Sequence, residues 1–207
     1  MPVRVKICGV ARVSDALAAV EAGADAVGLM FYEASPRFVT HATAAKVVQA
    51  LPPFVAKVGV FVNPSEADVR LAITECGIDT LQFHGDEPPE FCRQFGLKTI
   101  KAFRIQNADS LKALSAYSSE TWLLDSFVPG QPGGTGATFN WRLAAEAVRQ
   151  NRPVLLAGGL TPQNVAEAVR QVRPYGVDVS TGVESAPGKK DAAKVGAFVH
   201  AAKQALA

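Results

Sequence analysis

The chain has 207 residues, a length typical of one domain and slightly short for a (β/α)8 barrel. Hydrophobic residues make up 48% of it, which allows a sizeable core, whereas a formal net charge of +2 from scattered Lys and Arg residues argues against nucleic-acid binding. No apolar run approaches the roughly 20 residues of a membrane span. The N-terminus leads directly into a strand-like run, so we expect no signal peptide and a soluble, cytoplasmic protein without a membrane partner.

In the first half of the chain, short apolar runs alternate with helical patterns. The predicted elements are strand 3–8, helix 11–22, strand 26–31, a polar loop 32–38, helix 42–51 and strand 55–62. Gly23 has the position of a glycine that ends a helix. Asn63, Pro64 and Glu66 then predict a helix with Asn63 as its N-cap, running to about residue 76.

The second half continues the alternation. The predicted elements are strand 78–84, helix 88–95, strand 99–103, helix 108–117, strand 121–125, a Gly- and Pro-rich loop 127–139, helix 141–150, strand 153–157, a helix from Thr161 to 172, strand 177–180 and helix 190–206. Eight strand–helix units of about 26 residues predict a parallel sheet that closes on itself. We therefore expect a single-domain (β/α)8 barrel over residues 1–207.

The three cysteines give no disulfide framework and no metal motif. Cys8, Cys76 and Cys92 are an odd number at unrelated spacings, in a chain long enough to be stable without cross-links. The three histidines lie far apart, and no CxxC or HExxH pattern occurs. We therefore expect no metal site.

Glycines follow the seventh and eighth predicted strands, where barrel enzymes commonly bind phosphate. Gly158 and Gly159 would let backbone N–H groups approach an anion, and the helix after them would add positive potential. Ser180, Thr181 and Gly182 occupy the corresponding place in the eighth unit. The alternative is that these glycines only form tight turns.

Four further side chains near strand ends are candidates for catalytic or substrate-binding roles. Cys8 is either a thiolate base, assisted by Lys6 on the same strand face, or a small buried apolar residue. Asp125 is either a protonated carboxylic acid that donates a proton or a loop anchor. His84 is a rival base or, more simply, a hydrogen-bonded residue at the barrel rim, and Arg37 either binds a substrate carboxylate or lies solvated in its loop.

Taken together, the motifs of the chain resemble those of the phosphoribosylanthranilate isomerase family, in order and over nearly the whole length. The matching segments are Lys6-Ile7-Cys8-Gly9, Gly23-Ala24-Asp25-Ala26-Val27-Gly28, Ser35-Pro36-Arg37, Val58-Gly59-Val60-Phe61-Val62-Asn63, Gln82-Phe83-His84-Gly85, Leu124-Asp125, Gly133-Gly134-Thr135-Gly136, Ala157-Gly158-Gly159-Leu160, Asp178-Val179-Ser180-Thr181-Gly182-Val183-Glu184 and Pro187-Gly188-Lys189-Lys190-Asp191.

The resemblance implies a barrel enzyme of tryptophan biosynthesis that needs no cofactor. The implied reaction is the Amadori rearrangement of N-(5-phosphoribosyl)anthranilate to the 1-deoxyribulose 5-phosphate product. By resemblance, Cys8 is the general base, Asp125 the general acid and Arg37 the group facing the anthranilate carboxylate. Substrate contacts are expected from a further set: His84, Gly158, Gly159, Asp178, Ser180, Thr181 and Gly182.

The chain departs from the family pattern at Asn140, where the family more usually has Asp. Asn also caps helices well, so we expect unchanged chemistry there. The expected partner is a sugar phosphate, and the expected oligomeric state is a monomer or a homodimer. Two alternatives are the related ring-opening isomerase of histidine biosynthesis, expected to carry Asp in place of Cys8, and a non-catalytic phosphate-binding barrel.

Overall fold

A closed barrel of eight parallel strands forms the centre of the molecule. The computed structural model describes residues 3–117, 121–126, 141–150 and 152–206. The strands are β1 Arg4–Ile7, β2 Ala26–Met30, β3 Ala56–Phe61, β4 Thr80–Phe83, β5 Lys98–Ile105, β6 Thr121–Ser126, β7 Val154–Leu156 and β8 Gly176–Val179. Each strand pairs with the next, and β1 pairs with β8 in parallel, so the sheet has no edge. The predicted (β/α)8 barrel is confirmed.

Helices follow the strands and cover the outside of the barrel. They are α1 Val13–Glu21, α2 His41–Ala50, α3 Glu66–Cys76, α4 Pro89–Arg93, α5 Trp141–Val148, α6 Val165–Val172 and α7 Ala192–Gln204. The segment predicted as helix 108–117 is a 3-10 helix, Ala108–Ala116, whose first turn is capped by Asn107 and Ser110. Among the described residues, no helix combines the length and the apolar character needed to cross a membrane.

The strands separate two apolar regions. Side chains that point outward pack against the helices in the larger cluster, whereas Val58, Val60, Ile100, Leu123 and their neighbours fill the barrel interior. Because side chains alternate along a strand, a residue two positions beyond an interior residue also points inward. This alternation directs strand-end residues such as Asp125, two positions after Leu123, towards the mouth of the barrel.

The start of α3 differs from the prediction. Ser65, not Asn63, is the N-cap: its hydroxyl accepts from Asp68 N at 3.2 Å, and the Asp68 carboxylate accepts from Ser65 N at 3.3 Å. Asn63 has a left-handed backbone, with φ of 48°, and its Oδ1 accepts from Asp86 N at 2.8 Å. Asn63 therefore joins two loops instead of capping the helix.

The last two helices also begin later than predicted. Thr161 N donates to Asn164 Oδ1 at 2.8 Å, and Asn164 Nδ2 donates to Gly159 O at 2.9 Å, so a turn occupies residues 161–164 before α6. Before α7, the chain forms a short antiparallel hairpin of β9 Glu184–Ala186 and β10 Lys189–Lys190, which the sequence did not predict. Asp191 then caps α7 by accepting from Lys194 N at 3.0 Å.

Replacing Ser65 by Ala removes the N-cap of α3. We expect the free energy of unfolding, measured by urea denaturation, to fall by about 1 kcal/mol. Ser65→Thr keeps a capping hydroxyl and is the matched control, which should stay within roughly 0.5 kcal/mol of the parent chain. Equal stabilities of Ser65→Ala and Ser65→Thr would contradict this capping assignment.

Candidate active site

The carboxyl ends of β1–β4 and β6–β8 open into one cavity of about 280 Å³. The predicted site residues that line it are Cys8, Arg37, His84, Asp125, Gly158, Gly159, Asp178, Ser180 and Thr181. Gly182 follows directly, in the short 3-10 turn Thr181–Val183. Residues far apart in the sequence thus meet at one mouth, as parallel closure requires.

Cys8 lies directly after β1 and is 6% exposed. Its N–H donates to Val179 O at 2.8 Å, which extends the pairing of β1 with the β8 strand. A Cβ atom built on Gly28 would lie 2.9 Å from the Cys8 sulfur and 3.1 Å from Lys6 Nζ. Glycine at position 28 therefore provides the space that the thiol and the ammonium group occupy.

A buried ion pair lies beside Cys8. Lys6 Nζ, predicted to assist the thiol, forms an ion pair with Asp178 Oδ1 at 2.9 Å, and both side chains are buried. Burial raises the pKa of Cys8 above its ordinary value of 9.0, and the opposing effect of Lys6 does not compensate. Lys6 thus lowers the pKa of Cys8 in the predicted direction, but less than burial raises it, and the role of Cys8 as a thiolate base stays a prediction.

Asp125 points into the cavity from β6 and is 5% exposed. Its Oδ1 accepts from Ser126 N at 2.8 Å, and its Oδ2 lies 3.2 Å from His84 Nε2. That His84 contact is close, but the N–H is not aligned with the oxygen. Gly158, with φ of 80°, brings its backbone against Asp125: a Cβ there would lie 2.9 Å from Oδ1.

His84 is connected to a residue that the sequence prediction did not single out. Gln82 is fully buried, and its Nε2 lies 3.3 Å from Nδ1 of His84. Its register partners on the adjacent strands are the apolar residues Val60 and Ile100. The available signal in the sequence was a polar side chain in the middle of an apolar strand, and the contact agrees with a hydrogen-bonded rim position for His84.

Arg37 is held by an acidic partner. Its Nε and Nη2 donate to the two carboxylate oxygens of Glu184, each at 2.8 Å. Glu184 also accepts from Lys190 Nζ at 2.8 Å. Glu184 and Lys190 lie in two of the sequence motifs, which by themselves predict no role for them.

The two glycine-containing loops lie against each other. Gly158 and Gly159 have φ values of 80° and 63°, which side-chain-bearing residues rarely adopt. A Cβ on Gly182 would overlap the carbonyl oxygen of Leu160. The loops after β7 and β8 therefore require glycine for close packing. The helix α6, which was expected to add positive potential from Thr161 onward, begins only at Val165.

Parts of the sequence prediction lie outside the described residues, namely the loop 127–139 and Asn140. Within the described ranges, no group of three or more His, Cys, Asp or Glu side chains is arranged to hold a metal ion.

Comparison with known proteins identifies the family. The model of the family described as N-(5'-phosphoribosyl)anthranilate (PRA) isomerase matches residues 5–201. The chain belongs to this family. A relative from Trichlorobacter lovleyi, named N-(5'-phosphoribosyl)anthranilate isomerase, is 50% identical over 204 residues, covering 99% of this chain and 100% of the relative.

Solved structures of the same family have the same fold. The phosphoribosyl anthranilate isomerase of Thermotoga maritima superposes with a TM-score of 0.91 and 41% identity, covering 97% of this chain and 98% of that one. A second structure, of the isomerase in complex with reduced 1-(o-carboxyphenylamino)-1-deoxyribulose 5-phosphate, has a TM-score of 0.88, 40% identity and the same coverage. The resemblance inferred from the motifs is therefore confirmed.

The reactivity of Cys8 with iodoacetamide tests directly whether burial raises the pKa of its thiol. We expect the alkylation rate at Cys8, followed by peptide mass spectrometry, to keep rising beyond pH 9.0 because only the thiolate reacts. Lys6→Met should slow alkylation further at each pH, since Lys6 lowers the pKa of the thiol. A rate that reaches its plateau below about pH 8 would show a preformed thiolate and contradict the raised pKa.

Proposed function

We propose that this chain converts N-(5'-phosphoribosyl)anthranilate to 1-(2-carboxyphenylamino)-1-deoxyribulose 5-phosphate, a step of tryptophan biosynthesis, by a cofactor-free Amadori rearrangement. One observation carries the proposal: in a member of this family, Cys8 and Asp125 line the same cavity. The reaction needs one proton donor and one proton acceptor beside a single sugar, and these two residues are of suitable chemical types.

In the proposed first step, Asp125 as a carboxylic acid donates its proton to the furanose ring oxygen. The bond between C1′ and the ring oxygen breaks, and the nitrogen lone pair forms the C=N bond of an iminium ion. The buried position of Asp125 in the cavity, with Ser126 N donating to Oδ1, supports this role because the resulting carboxylate keeps a hydrogen bond.

In the second step, the Cys8 thiolate removes the proton from C2′. The C–H electron pair forms the C1′–C2′ double bond of an enolamine, and the iminium nitrogen takes back its electron pair. Tautomerisation of the enolamine gives the ketone. Burial raises the pKa of Cys8, so the step uses the fraction of the enzyme whose thiol has already released its proton to solvent, and the positive iminium beside the sulfur stabilises that thiolate.

The remaining site residues are proposed to hold the substrate. Gly158 and Gly159, together with residues 180–182, would bind the phosphate, because both loops meet at the mouth and approach each other closely. Arg37 would bind the anthranilate carboxylate. His84 and Asp178 would contact the sugar. Binding at both ends of the substrate places its reacting carbons between Cys8 and Asp125.

Two alternative functions make different predictions. The ring-opening isomerase of histidine biosynthesis would act on its own substrate, and a non-catalytic barrel would bind sugar phosphate without turnover. One fluorescence assay of anthranilate-substrate loss, run beside an assay with the histidine-pathway substrate, separates all three. Presence of both Cys8 and Asp125 in the cavity favours the anthranilate reaction.

We also propose a cytoplasmic location and a monomeric or homodimeric state. All three cysteines are free thiols, as is usual in a reducing compartment. Analytical ultracentrifugation of the purified chain decides between the two oligomeric states.

The proton-transfer roles predict the effects of two substitutions. Cys8→Ser and Asp125→Asn should each lower kcat by more than about 10²-fold, because each removes one proton carrier while keeping the side-chain shape. Cys76→Ser and Asp79→Asn change the same residue types outside the cavity and should retain parental activity. A folded Cys8→Ser or Asp125→Asn variant with full turnover would refute the corresponding role.

The binding role of Arg37 predicts a different kinetic effect. Arg37→Ala should mainly raise KM, because the guanidinium contacts the substrate without carrying a proton. Steady-state kinetics with the anthranilate substrate measure kcat and KM of Arg37→Ala and of the parent chain. An unchanged KM would exclude Arg37 as the carboxylate partner.

A further inference from the structure

Arg37, Glu184 and Lys190 form a buried cluster at the mouth of the barrel. Glu184 accepts from Arg37 through both carboxylate oxygens and from Lys190 Nζ, and all three hydrogen bonds measure 2.8 Å. Lys190 Nζ also donates to the Ser180 carbonyl oxygen at 3.2 Å. The hairpin β9–β10 thus supplies a carboxylate and an ammonium group to an arginine from the loop after β2.

The contacts of Arg37 leave one side of its guanidinium group for another anion. A guanidinium has five N–H donors, and the paired contact with Glu184 uses the edge formed by Nε and Nη2. The opposite edge, formed by Nη1 and the second N–H of Nη2, can bind a carboxylate end-on. The stem of the side chain is fixed as well, since a Cβ on Gly9 would lie 2.5 Å from Arg37 Cδ.

The charge of the cluster depends on Lys190. Arg37 and Glu184 alone would form a neutral pair, whereas Lys190 restores one net positive charge. Nearby, Lys6 and Asp178 neutralise each other, so this cluster, of which Arg37 lines the cavity, adds net positive charge beside it. The Lys190 side chain is 1% exposed, so it acts on a ligand through its charge and not by contact.

We propose that Glu184 and Lys190 are positioning residues for Arg37, Glu184 by fixing the orientation of the guanidinium and Lys190 by cancelling the charge of Glu184, so that the site selects an aromatic carboxylate. The inference rests on the proposed function, in which Arg37 receives the carboxylate of the substrate. It assigns to the β9–β10 hairpin a part in substrate specificity.

The test measures inhibition constants of two stable ligands. The probes are the reduced product analogue, which bears the carboxylate, and the same compound with a carboxamide in its place. Lys190→Met should raise the inhibition constant of the carboxylate probe roughly tenfold, the order expected for the loss of one nearby charge in a partly buried site. The carboxamide probe should bind Lys190→Met and the parent chain alike, and Lys190→Arg should restore carboxylate binding.

A second substitution distinguishes an electrostatic effect of Lys190→Met from an effect on packing. In Lys190→Met, the additional change Glu184→Gln removes the uncompensated carboxylate and leaves Arg37 with its positive charge. We expect the double variant to bind the carboxylate probe more tightly than Lys190→Met alone but more weakly than the parent chain, because the amide leaves Arg37 only one acceptor oxygen. Equal losses for both probes in Lys190→Met, or a double variant no better than the single one, would overturn the proposal.

The same measurements distinguish a failure of the carboxylate role of Arg37 from a failure of the positioning roles of Glu184 and Lys190. If Arg37→Ala binds both probes as the parent chain does, the carboxylate role of Arg37 in the proposed function is wrong. If Arg37→Ala weakens only the carboxylate probe while Lys190→Met changes neither, Arg37 keeps its role and only the positioning by Lys190 is refuted.

Discussion

The buried ion pair between Lys6 and Asp178 joins the first and last strands where the barrel closes. The two residues are register partners on β1 and β8, and their charged atoms lie 2.9 Å apart although 172 positions separate them in the sequence. Removing one partner of such a pair leaves an uncompensated buried charge, which costs about 3–5 kcal/mol. The closure therefore fixes Cys8, two residues after Lys6, beside the loop that follows Asp178.

The same ion pair affects the pKa of the thiol in the site. Because Asp178 neutralises Lys6, the ammonium does not overcome the effect of burial, and the pKa of Cys8 stays above its ordinary value. In the proposed reaction, the C2′ proton becomes acidic only after Asp125 has opened the ring to the iminium ion, so ring opening precedes the proton transfer to Cys8.

Local patterns in the sequence predicted the barrel well, because eight repeated apolar runs and helix-ending glycines are local signals. They also placed Cys8 and Asp125 at strand ends, and parallel closure then brings these positions to one mouth. The cap of α3 was predicted wrongly, because both Asn63 and Ser65 are good N-caps and only the loop contact of Asn63 with Asp86 decides between them. The contact of Arg37 with Glu184 spans 147 positions, and no local pattern specifies such a pairing.

The division of the two proton transfers between Cys8 and Asp125 is tested most directly by the kinetic isotope effect on kcat with substrate deuterated at C2′. If Cys8 removes this proton, Cys8→Ser slows that step and should show a primary isotope effect. If Asp125 opens the ring before it, Asp125→Asn should be limited by ring opening and show none. The reverse pattern, or the same isotope effect in both variants, would contradict the assignment of the two residues.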